Sequence, residues 1–312
     1  MSFGVCDRFS KKIAVVGGGF VGTTFAYAAM IKNIASEILI YDLNTKKAEG
    51  EVLDLAHGLP FVETGAIKVA YTYEELRGVD VVVVTAGANQ LPGETRPDLV
   101  KRNSTIMQDI IRQLDEVVPD AVLLIVSNPV DALTTLATRM SKRPKEKIIG
   151  SGTVLDTARL HYLMASYCQV SPHSVSGYIL GEHGDTEFAA WSTVQVGGNP
   201  IALCHVPREV QQDIELQTRN VAYEIIKRKK ATYYGIGLAL CEIVESIVLH
   251  QRMILPVSCV GHPMAGNIAL GLPCIVGQQG IEGYVELVLE EDEKILLEKS
   301  KKAVELCLAE VL

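Results

Sequence analysis

Apolar and polar positions follow two different periods along the first half of the chain. Short, mainly apolar runs, which are typical of buried strands, occupy residues 13–16, 37–41, 67–71, 79–84, 121–126 and 147–149. Longer segments with apolar residues at helical spacing lie among them, at residues 25–31, 98–118 and 131–140. Strands that alternate with helices predict an α/β domain over residues 1–150, with a parallel sheet and right-handed crossovers.

The pattern changes beyond Gly150. Helices are predicted at residues 207–230, 232–251 and 290–311, and strands at residues 175–180 and 284–289. No stretch rich in glycine, serine and proline separates the two halves, so the boundary is predicted to be a change of domain and not a flexible tether. Residues 151–312 are therefore predicted to form a second domain of the α+β type.

The composition fits a globular protein and narrows its partners. Of 312 residues, 48% are hydrophobic and 21% are charged, and the net charge is 29 − 37 = −8. This acidic balance disfavours nucleic acid as a partner, and the basic run at residues 227–230 is interpreted as a solvated helix face. No apolar window is long enough to span a membrane, and the first ten residues lack the apolar core of a secretory signal.

The spacing of the cysteines indicates the redox environment of the protein. Seven are scattered along the chain, and none falls in a Cys-x-x-Cys pair. Neither a disulfide framework nor a metal site is expected, and a reducing cytoplasm is the predicted location.

A glycine-rich turn joins the first predicted strand to the first predicted helix. Residues 17–22 read Gly-Gly-Gly-Phe-Val-Gly, which places the pattern G-x-G-x-x-G in its proper context. Gly17 allows the tight turn, Gly19 allows close approach to a pyrophosphate, and Gly22 allows close packing of helix and strand. The first domain is therefore predicted to be a dinucleotide-binding domain of the Rossmann type.

An acidic residue ends the second predicted strand. Asp42 stands twenty residues beyond Gly22, where a carboxylate accepts hydrogen bonds from ribose hydroxyls and repels a 2′-phosphate. The cofactor is therefore predicted to be NAD and not NADP. The alternative, that Asp42 only caps a turn, is disfavoured by the glycines before it.

Two further stretches carry candidate chemistry. Residues 181–185 read Gly-Glu-His-Gly-Asp and hold His183 at a strand end, where an imidazole can exchange a proton near neutral pH. Residues 85–96 form a loop with Gly87, Pro92 and Gly93 that ends in Arg96, of the kind that closes over a site. Taken alone, His183 is interpreted as a turn or core histidine and Arg96 as a solvated charge.

Five motifs, in order, change that interpretation, because the chain resembles the L-lactate/malate dehydrogenase family, and bacterial L-lactate dehydrogenases most closely. The similarity runs from about Lys12 to the C-terminal helix. The motifs are residues 17–22 with Asp42, residues 87–96, Ser-Asn-Pro-Val-Asp at 127–131, Val-Leu-Asp-Thr-Ala-Arg at 154–159, and residues 181–185.

The resemblance implies roles for individual residues. His183 is similar to the acid–base histidine that protonates a ketone during reduction, and Asp156 to its carboxylate partner. Arg159 is similar to the arginine that grips the substrate carboxylate, and Arg96 to the loop arginine that stabilises charge on the reacting oxygen. Asn128 resembles the asparagine near the reacting hydroxyl, and the second domain becomes the substrate-binding and catalytic domain.

The resemblance also implies the outlines of the binding sites. Thr232 and Ile236 are similar to residues that line the substrate and nicotinamide pockets. The remaining positions implied for NAD lie at the carboxyl ends of the first strands: Gly17, Gly19, Phe20, Val21, Gly22, Asp42, Ala86, Gly87, Val126 and Asn128.

Position 90 bears on the substrate. Malate dehydrogenases of this family tend to carry arginine there, which pairs with a second carboxylate, whereas this chain has the neutral Gln90. An unpaired charge in a closed site costs several kcal/mol. The expected reaction is therefore reversible reduction of pyruvate to L-lactate, as in glycolysis and pyruvate fermentation. Malate dehydrogenase, or another 2-hydroxyacid dehydrogenase of the family, is the alternative.

Some positions depart from the family. His161 and Ser176 stand where many bacterial relatives hold fructose 1,6-bisphosphate with an arginine and a histidine, so little or no activation is expected. Lys230 replaces a usual glycine. The tract 261–267 also differs, and its His262 is interpreted as a loop residue.

The resemblance implies a homotetramer as well. A non-catalytic NAD-binding protein would have no need of His183, Asp156, Arg159 and Arg96 together, so that alternative is ranked low.

Overall fold

The computed structural model describes residues 10–88 and 96–310, without the side chains of residues 96–98. Its strands are β1 (Lys12–Val16), β2 (Glu37–Tyr41), β3 (Ala66–Ala70), β4 (Val81–Val84), β5 (Val122–Ile125), β6 (Ile148–Gly150), β7 (Val175–Leu180), β8 (Phe188–Val196), β9 (Asn199–Pro200), β10 (Met253–Val260), β11 (Ala269–Gly277) and β12 (Gly280–Tyr284). Its helices are α1 (Phe20–Ile31), α2 (Thr45–Ala56), α3 (Arg96–Val117), α4 (Val130–Met140), α5 (Val154–Cys168), α6 (Arg208–Lys229), α7 (Tyr234–Val248) and α8 (Glu291–Ala309).

Six parallel strands form the centre of the fold, in the order β3-β2-β1-β4-β5-β6. Most of their side chains are apolar on both faces, because helices cover both sides of the sheet. β1 lies between β2 and β4, so the strand order reverses there, and the carboxyl ends of these strands border a crevice that suits a ligand. The α/β prediction is confirmed.

Three antiparallel strands of the second half extend the same sheet beyond β6. β10 pairs with β6 through Ser258 and Gly150, and β11 and β12 follow in antiparallel register. β7, β8 and β9 form a separate antiparallel sheet. The large sheet therefore runs without a break across the position where the sequence predicted a change of domain.

The strand predicted at residues 284–289 is wrong in its placement. β12 ends at Tyr284, and residues 285–289 lie outside any strand. This segment alternates as a strand does, with Leu289 buried and Val288 exposed, but its inward side chains pack near α8. Only Val285 donates a backbone hydrogen bond to the neighbouring strand, at 3.0 Å to the Pro273 carbonyl.

Helix α7, in the second half of the chain, packs against the first half. It packs on α1, and a Cβ atom on Gly237 would lie 2.8 Å from Cγ2 of Thr24, so the two helices approach as closely as glycine allows. Both helices contribute to one apolar core with β1 and β2. No helix in the described part of the chain combines the length and apolarity needed to cross a bilayer.

Candidate active site

The glycine turn between β1 and α1 leaves room for a phosphate group. Gly17 has φ of +115°, and a Cβ atom there would lie 2.6 Å from the Ala86 backbone nitrogen. A Cβ atom on Gly22 would overlap the Gly17 carbonyl oxygen. Gly19, at the N-terminus of α1, faces open space with nothing within 4 Å of its Cβ position. The free N–H groups of a helix N-terminus suit a pyrophosphate in that space.

The carboxylate of Asp42 is anchored beside this turn. Its Oδ2 accepts a hydrogen bond from the Gly18 backbone N–H at 2.7 Å, and its Oδ1 accepts one from the Asn44 N–H at 2.8 Å. A carboxylate has lone pairs for about four hydrogen bonds, so capacity remains for ribose hydroxyls. The arrangement fits the predicted dinucleotide.

The carboxyl ends of β4 and β5 form the opposite side of the crevice. Ala86 donates its N–H to the Val16 carbonyl at 2.9 Å, and its own carbonyl accepts from Ser127 Oγ at 2.5 Å. Val126 continues β5 through a bond to Val84, and Gly87 lies over Ser127. The other implied cofactor residues lie at the start of α1, where Val21 packs on the core and Phe20 is 68% exposed.

Asn128 lies at the mouth of the crevice. Its backbone carbonyl accepts a hydrogen bond from Asn103 Nδ2 at 2.8 Å, and the bond from Asn128 to Pro129 is cis. Asn103 also binds the Ala88 N–H through its Oδ1 at 2.8 Å. One buried amide thus fixes two loops that border the crevice.

His183, Asp156 and Arg159 meet in a charged cluster. The Nδ1 atom of His183 lies 2.6 Å from Oδ2 of Asp156, and Nη1 of Arg159 donates to Oδ1 of the same carboxylate at 2.6 Å. Asp156 is fully buried in the first turn of α5, and Arg159 follows one turn later on the same face. The His183 side chain is 27% exposed, so its ring can meet a ligand.

The electrostatics of this cluster favour a protonated imidazole. The Asp156 charge raises the pKa of His183 to about 9 against the opposing effect of burial. Burial alone would raise the pKa of Asp156, but the His183 charge, its hydrogen bond and Arg159 hold that pKa below its usual range. The carboxylate therefore stays ionised and keeps a proton on Nδ1 of the ring, which leaves Nε2 for acid–base work.

Asp131 holds the backbone of the histidine. Its Oδ2 accepts the His183 N–H at 2.7 Å, and its Oδ1 accepts a hydrogen bond from Ser258 Oγ at 2.5 Å. Burial raises the pKa of Asp131 to about 6, although both hydrogen bonds oppose the shift. In the sequence Asp131 stands at the end of a motif with no role indicated, and Ser258 gives no signal because it lies 127 residues away.

Glu187 and Arg219 are two further charged residues of the site that sequence analysis missed. Glu187 is 4% exposed, and its backbone carbonyl accepts from Nη2 of Arg219 at 2.9 Å. Burial first, and then the Asp156 charge, raise the pKa of Glu187 to about 8. Its position four residues after His183, at the start of an apolar strand, was the signal available in the sequence.

A cavity of about 230 Å³ opens onto His183. Its lining includes Leu99, Val100, Asn128, Pro129, Asp156, Arg159, His183, Gly184, Asp185, Glu187, Arg219, Ala222, Tyr223 and Ile226. Thr232 and Ile236 are not among the described residues that line it; Thr232 precedes α7, and Ile236 packs against the core in its first turn. Gln90 lies outside the described residues, and Arg96 is described only as the first residue of α3.

The residues that depart from the family lie elsewhere. His161 is directed inward, with Nε2 at 2.9 Å from the Gly177 carbonyl, and burial lowers its pKa, whereas Ser176 is exposed on β7. His262 is fully buried, accepts the Met264 N–H and contacts the Pro273 carbonyl. His262 is not among the described residues that line the cavity, and its role is structural.

Family profiles match almost the whole chain. Residues 11–150 match the lactate/malate dehydrogenase NAD-binding domain, and residues 153–310 match the lactate/malate dehydrogenase alpha/beta C-terminal domain. The two matches meet within the continuous sheet, close to Gly150.

Curated relatives match nearly the full length of the chain. An L-lactate dehydrogenase of Acetivibrio thermocellus is 46% identical over 302 residues, which span 94% of this chain and 95% of the relative. One of Kosmotoga olearia is 44% identical, and the match covers 96% of each chain. The crystal structure of a minor L-lactate dehydrogenase from Enterococcus mundtii, in a ligand-bound form, superposes with a TM-score of 0.94 at 40% identity and covers 98% of this chain and 99% of that one.

Proposed function

Because the chain belongs to the lactate/malate dehydrogenase family across both of its halves, we propose that it is an L-lactate dehydrogenase that reduces pyruvate reversibly to L-lactate. The first half binds NAD, and the geometry of the glycine turn and Asp42 fits that cofactor. The observation that carries the proposal is the cluster of His183, Asp156 and Arg159 in the cavity beside the crevice.

The side chains of the protein bind the substrate and transfer one proton to or from it. Bound nicotinamide supplies the hydride chemistry. During reduction His183 donates the Nε2 proton to the carbonyl oxygen, and during oxidation it takes the hydroxyl proton back. Asp156 keeps the ring oriented and stabilises the imidazolium. The guanidinium of Arg159, 14% exposed at the cavity, suits a bidentate grip on the substrate carboxylate.

The remaining substrate contacts are assigned through the family. Arg96 would stabilise negative charge that develops on the reacting oxygen, and Asn128, at the cavity wall, would bind the same oxygen. Thr232 would close the far side of the substrate pocket. Gln90 would face the methyl group of pyruvate.

Initial rates of NADH oxidation with pyruvate and with oxaloacetate test the function and its substrate together. Gln90 offers no charge to a second carboxylate, so we expect kcat/KM for pyruvate to exceed that for oxaloacetate by at least about tenfold, which is about 1.4 kcal/mol. Gln90→Arg should move the ratio toward oxaloacetate.

Each outcome is informative. Comparable rates on both substrates would reject the role of Gln90, and an oxaloacetate preference would favour the malate alternative. No turnover with either would overturn the proposed function. Fructose 1,6-bisphosphate, added as a further arm, should leave the pyruvate KM unchanged, because His161 is neutral and turned toward the Gly177 carbonyl.

The protein is further proposed to work as a homotetramer in the cytoplasm. Support for assembly comes from large apolar side chains exposed on α1 and α7. Support for a reducing compartment comes from the thiols, since the six described cysteines form no disulfide, although the Sγ atoms of Cys259 and Cys274 lie only 3.2 Å apart.

A further inference from the structure

Glu187 is a buried carboxyl group in the wall of the active-site cavity. One ligand-type atom each from Glu187, Asp156 and His183 lie within 4.8 Å of one another. The mechanism proposed above uses the other two groups and leaves Glu187 without a part.

The charges around this trio come from three helices and the histidine loop. The described charged side chains around it are Asp131, Arg159, Glu182, Asp185 and Arg219. Arg219 is oriented by two acceptors, the Glu187 carbonyl at 2.9 Å and Oε1 of Glu215 at 3.0 Å. Glu187 is thus the buried acid that faces the imidazole beside Asp156.

We infer that Glu187 is a positioning residue for the proton transfer, because its ionisation, acting through His183 and Asp156, sets the pH at which His183 gives up its proton. This inference rests on the proposed function and adds a determinant of its pH dependence.

The direction of the effect follows from the sign of the charges. A carboxylate close to an imidazole stabilises the imidazolium, whereas a neutral carboxyl does not. Burial and the Asp156 charge raise the pKa of Glu187 to about 8, so its negative charge develops in the alkaline range, where the His183 ring also loses its proton. The ionised Glu187 helps to keep His183 protonated, which extends pyruvate reduction toward alkaline pH.

The test is the pH profile of kcat/KM for pyruvate in Glu187→Gln, which keeps the size of the side chain and removes its ionisation. We expect the alkaline limb to move down by about 0.5–1 pH unit, with less than about threefold change at pH 6. Glu187→Asp, which keeps a carboxylate, should lie between the wild type and Glu187→Gln.

Glu215→Gln is the matched control. It removes the carboxylate that binds Arg219 directly, whereas Glu187 binds Arg219 through its backbone carbonyl, and Glu215 is not part of the cavity lining among the described residues. We expect its alkaline limb to coincide with that of the wild type. If Glu215→Gln shifts the limb as Glu187→Gln does, the effect passes through Arg219 and the inference is overturned.

A titration without turnover separates this inference from the proposed function. In the wild-type protein the ¹⁵N resonances of the His183 ring should respond to two coupled ionisations, that of the Glu187 carboxyl and that of the ring itself, so the titration should depart from a one-proton curve. A one-proton curve overturns the inference, even if Glu187→Gln does not fold. A wild type that turns over no pyruvate overturns the proposed function instead.

Discussion

The neighbours of a histidine decide its chemistry in this protein. His161, His183 and His262 are all buried wholly or in part, but carbonyl groups face the first and third, and burial lowers the pKa of each. His183 faces the carboxylate of Asp156, and its pKa rises to about 9. One acidic side chain thus distinguishes a proton donor from two structural rings.

Replacement of Asp156 by asparagine should expose this dependence. Without the carboxylate, the largest effect that raises the pKa of His183 is lost while burial still opposes the charge, so the pKa falls and less of the ring is protonated at pH 7. We expect kcat/KM for pyruvate at pH 7 to fall by about 10²–10⁴-fold, on the scale seen when an orienting aspartate is lost from other histidine catalysts. Part of the activity should return as the pH is lowered toward 6.

Asp213→Asn is the control for loss of one negative charge. Asp213 accepts a hydrogen bond from Gln217 on the exposed face of α6. Its profile should match that of the wild type. A loss in Asp156→Asn that is equal at every pH would show that the residue acts on packing and not on the protonation of His183.

Residue-scale prediction from the sequence succeeded where a motif is local and failed where the partner is distant. Asp156 and Arg159 share one turn of α5, and His183 was identified through the family motif around it. The contact from Ser258 to Asp131 depends on how β10 docks beside α4, which no local pattern specifies.

At the scale of elements, the C-terminus of α6 carries an unfavourable backbone. Lys230, where the family usually has glycine, has φ of +71° and caps α6 in the left-handed conformation. A side chain in that region costs about 1 kcal/mol relative to glycine. Lysine at this position therefore lowers the stability of the helix end. Lys230 is not among the described residues that line the cavity.

Lys230→Gly should consequently stabilise the fold. We expect the free energy of unfolding to increase by about 0.5–1 kcal/mol, measured by equilibrium urea denaturation at one protein concentration. Lys227→Gly, within the last helical turn, should change the free energy of unfolding in the opposite direction by about 1 kcal/mol. A destabilised Lys230→Gly would mean that the lysine side chain contributes more than its backbone costs.

Helices and strands with one clear hydrophobic period were predicted from the sequence, and those without such a period were not. The central parallel strands β1, β4 and β5 are largely buried on both faces and read as short apolar runs. Helix α2 is largely polar and was not predicted, and β10 and β11 were missed beside a glycine-rich turn. The segment at residues 285–289 alternates because the apolar side chains on one of its sides pack with those of α8. The alternation was recognised correctly, but it reflects packing on a helix and not pairing in a sheet.

At the scale of the whole molecule, two packed helices present apolar side chains to the outside. Tyr27 and Ile31 on α1 are 53% and 56% exposed, and Tyr234 and Leu238 on α7 are 66% and 60% exposed. Large apolar side chains exposed on two helices that pack together are typical of subunit interfaces. It supports the homotetramer that the family resemblance implies.

Light scattering measures the assembly directly. We expect a mass about four times the 33.9 kDa of one chain, and Leu238→Glu should reduce that mass by placing a charge in the interface. Val288→Glu, at a side chain that is 95% exposed outside the helices, should leave the mass unchanged. A monomeric wild type would contradict the homotetramer.

The unbroken sheet across Gly150 has a consequence for recombination between relatives. A chimera joined near residue 150 would place its seam between β6 and β10 and between α1 and α7. Both parents would have to share the spacing around Ser258 and a residue as small as Gly237 opposite Thr24. A cofactor-binding half from one relative is therefore expected to fold with a substrate-binding half from another only where their contact residues match. This restricts how new specificities arise by recombination of genes.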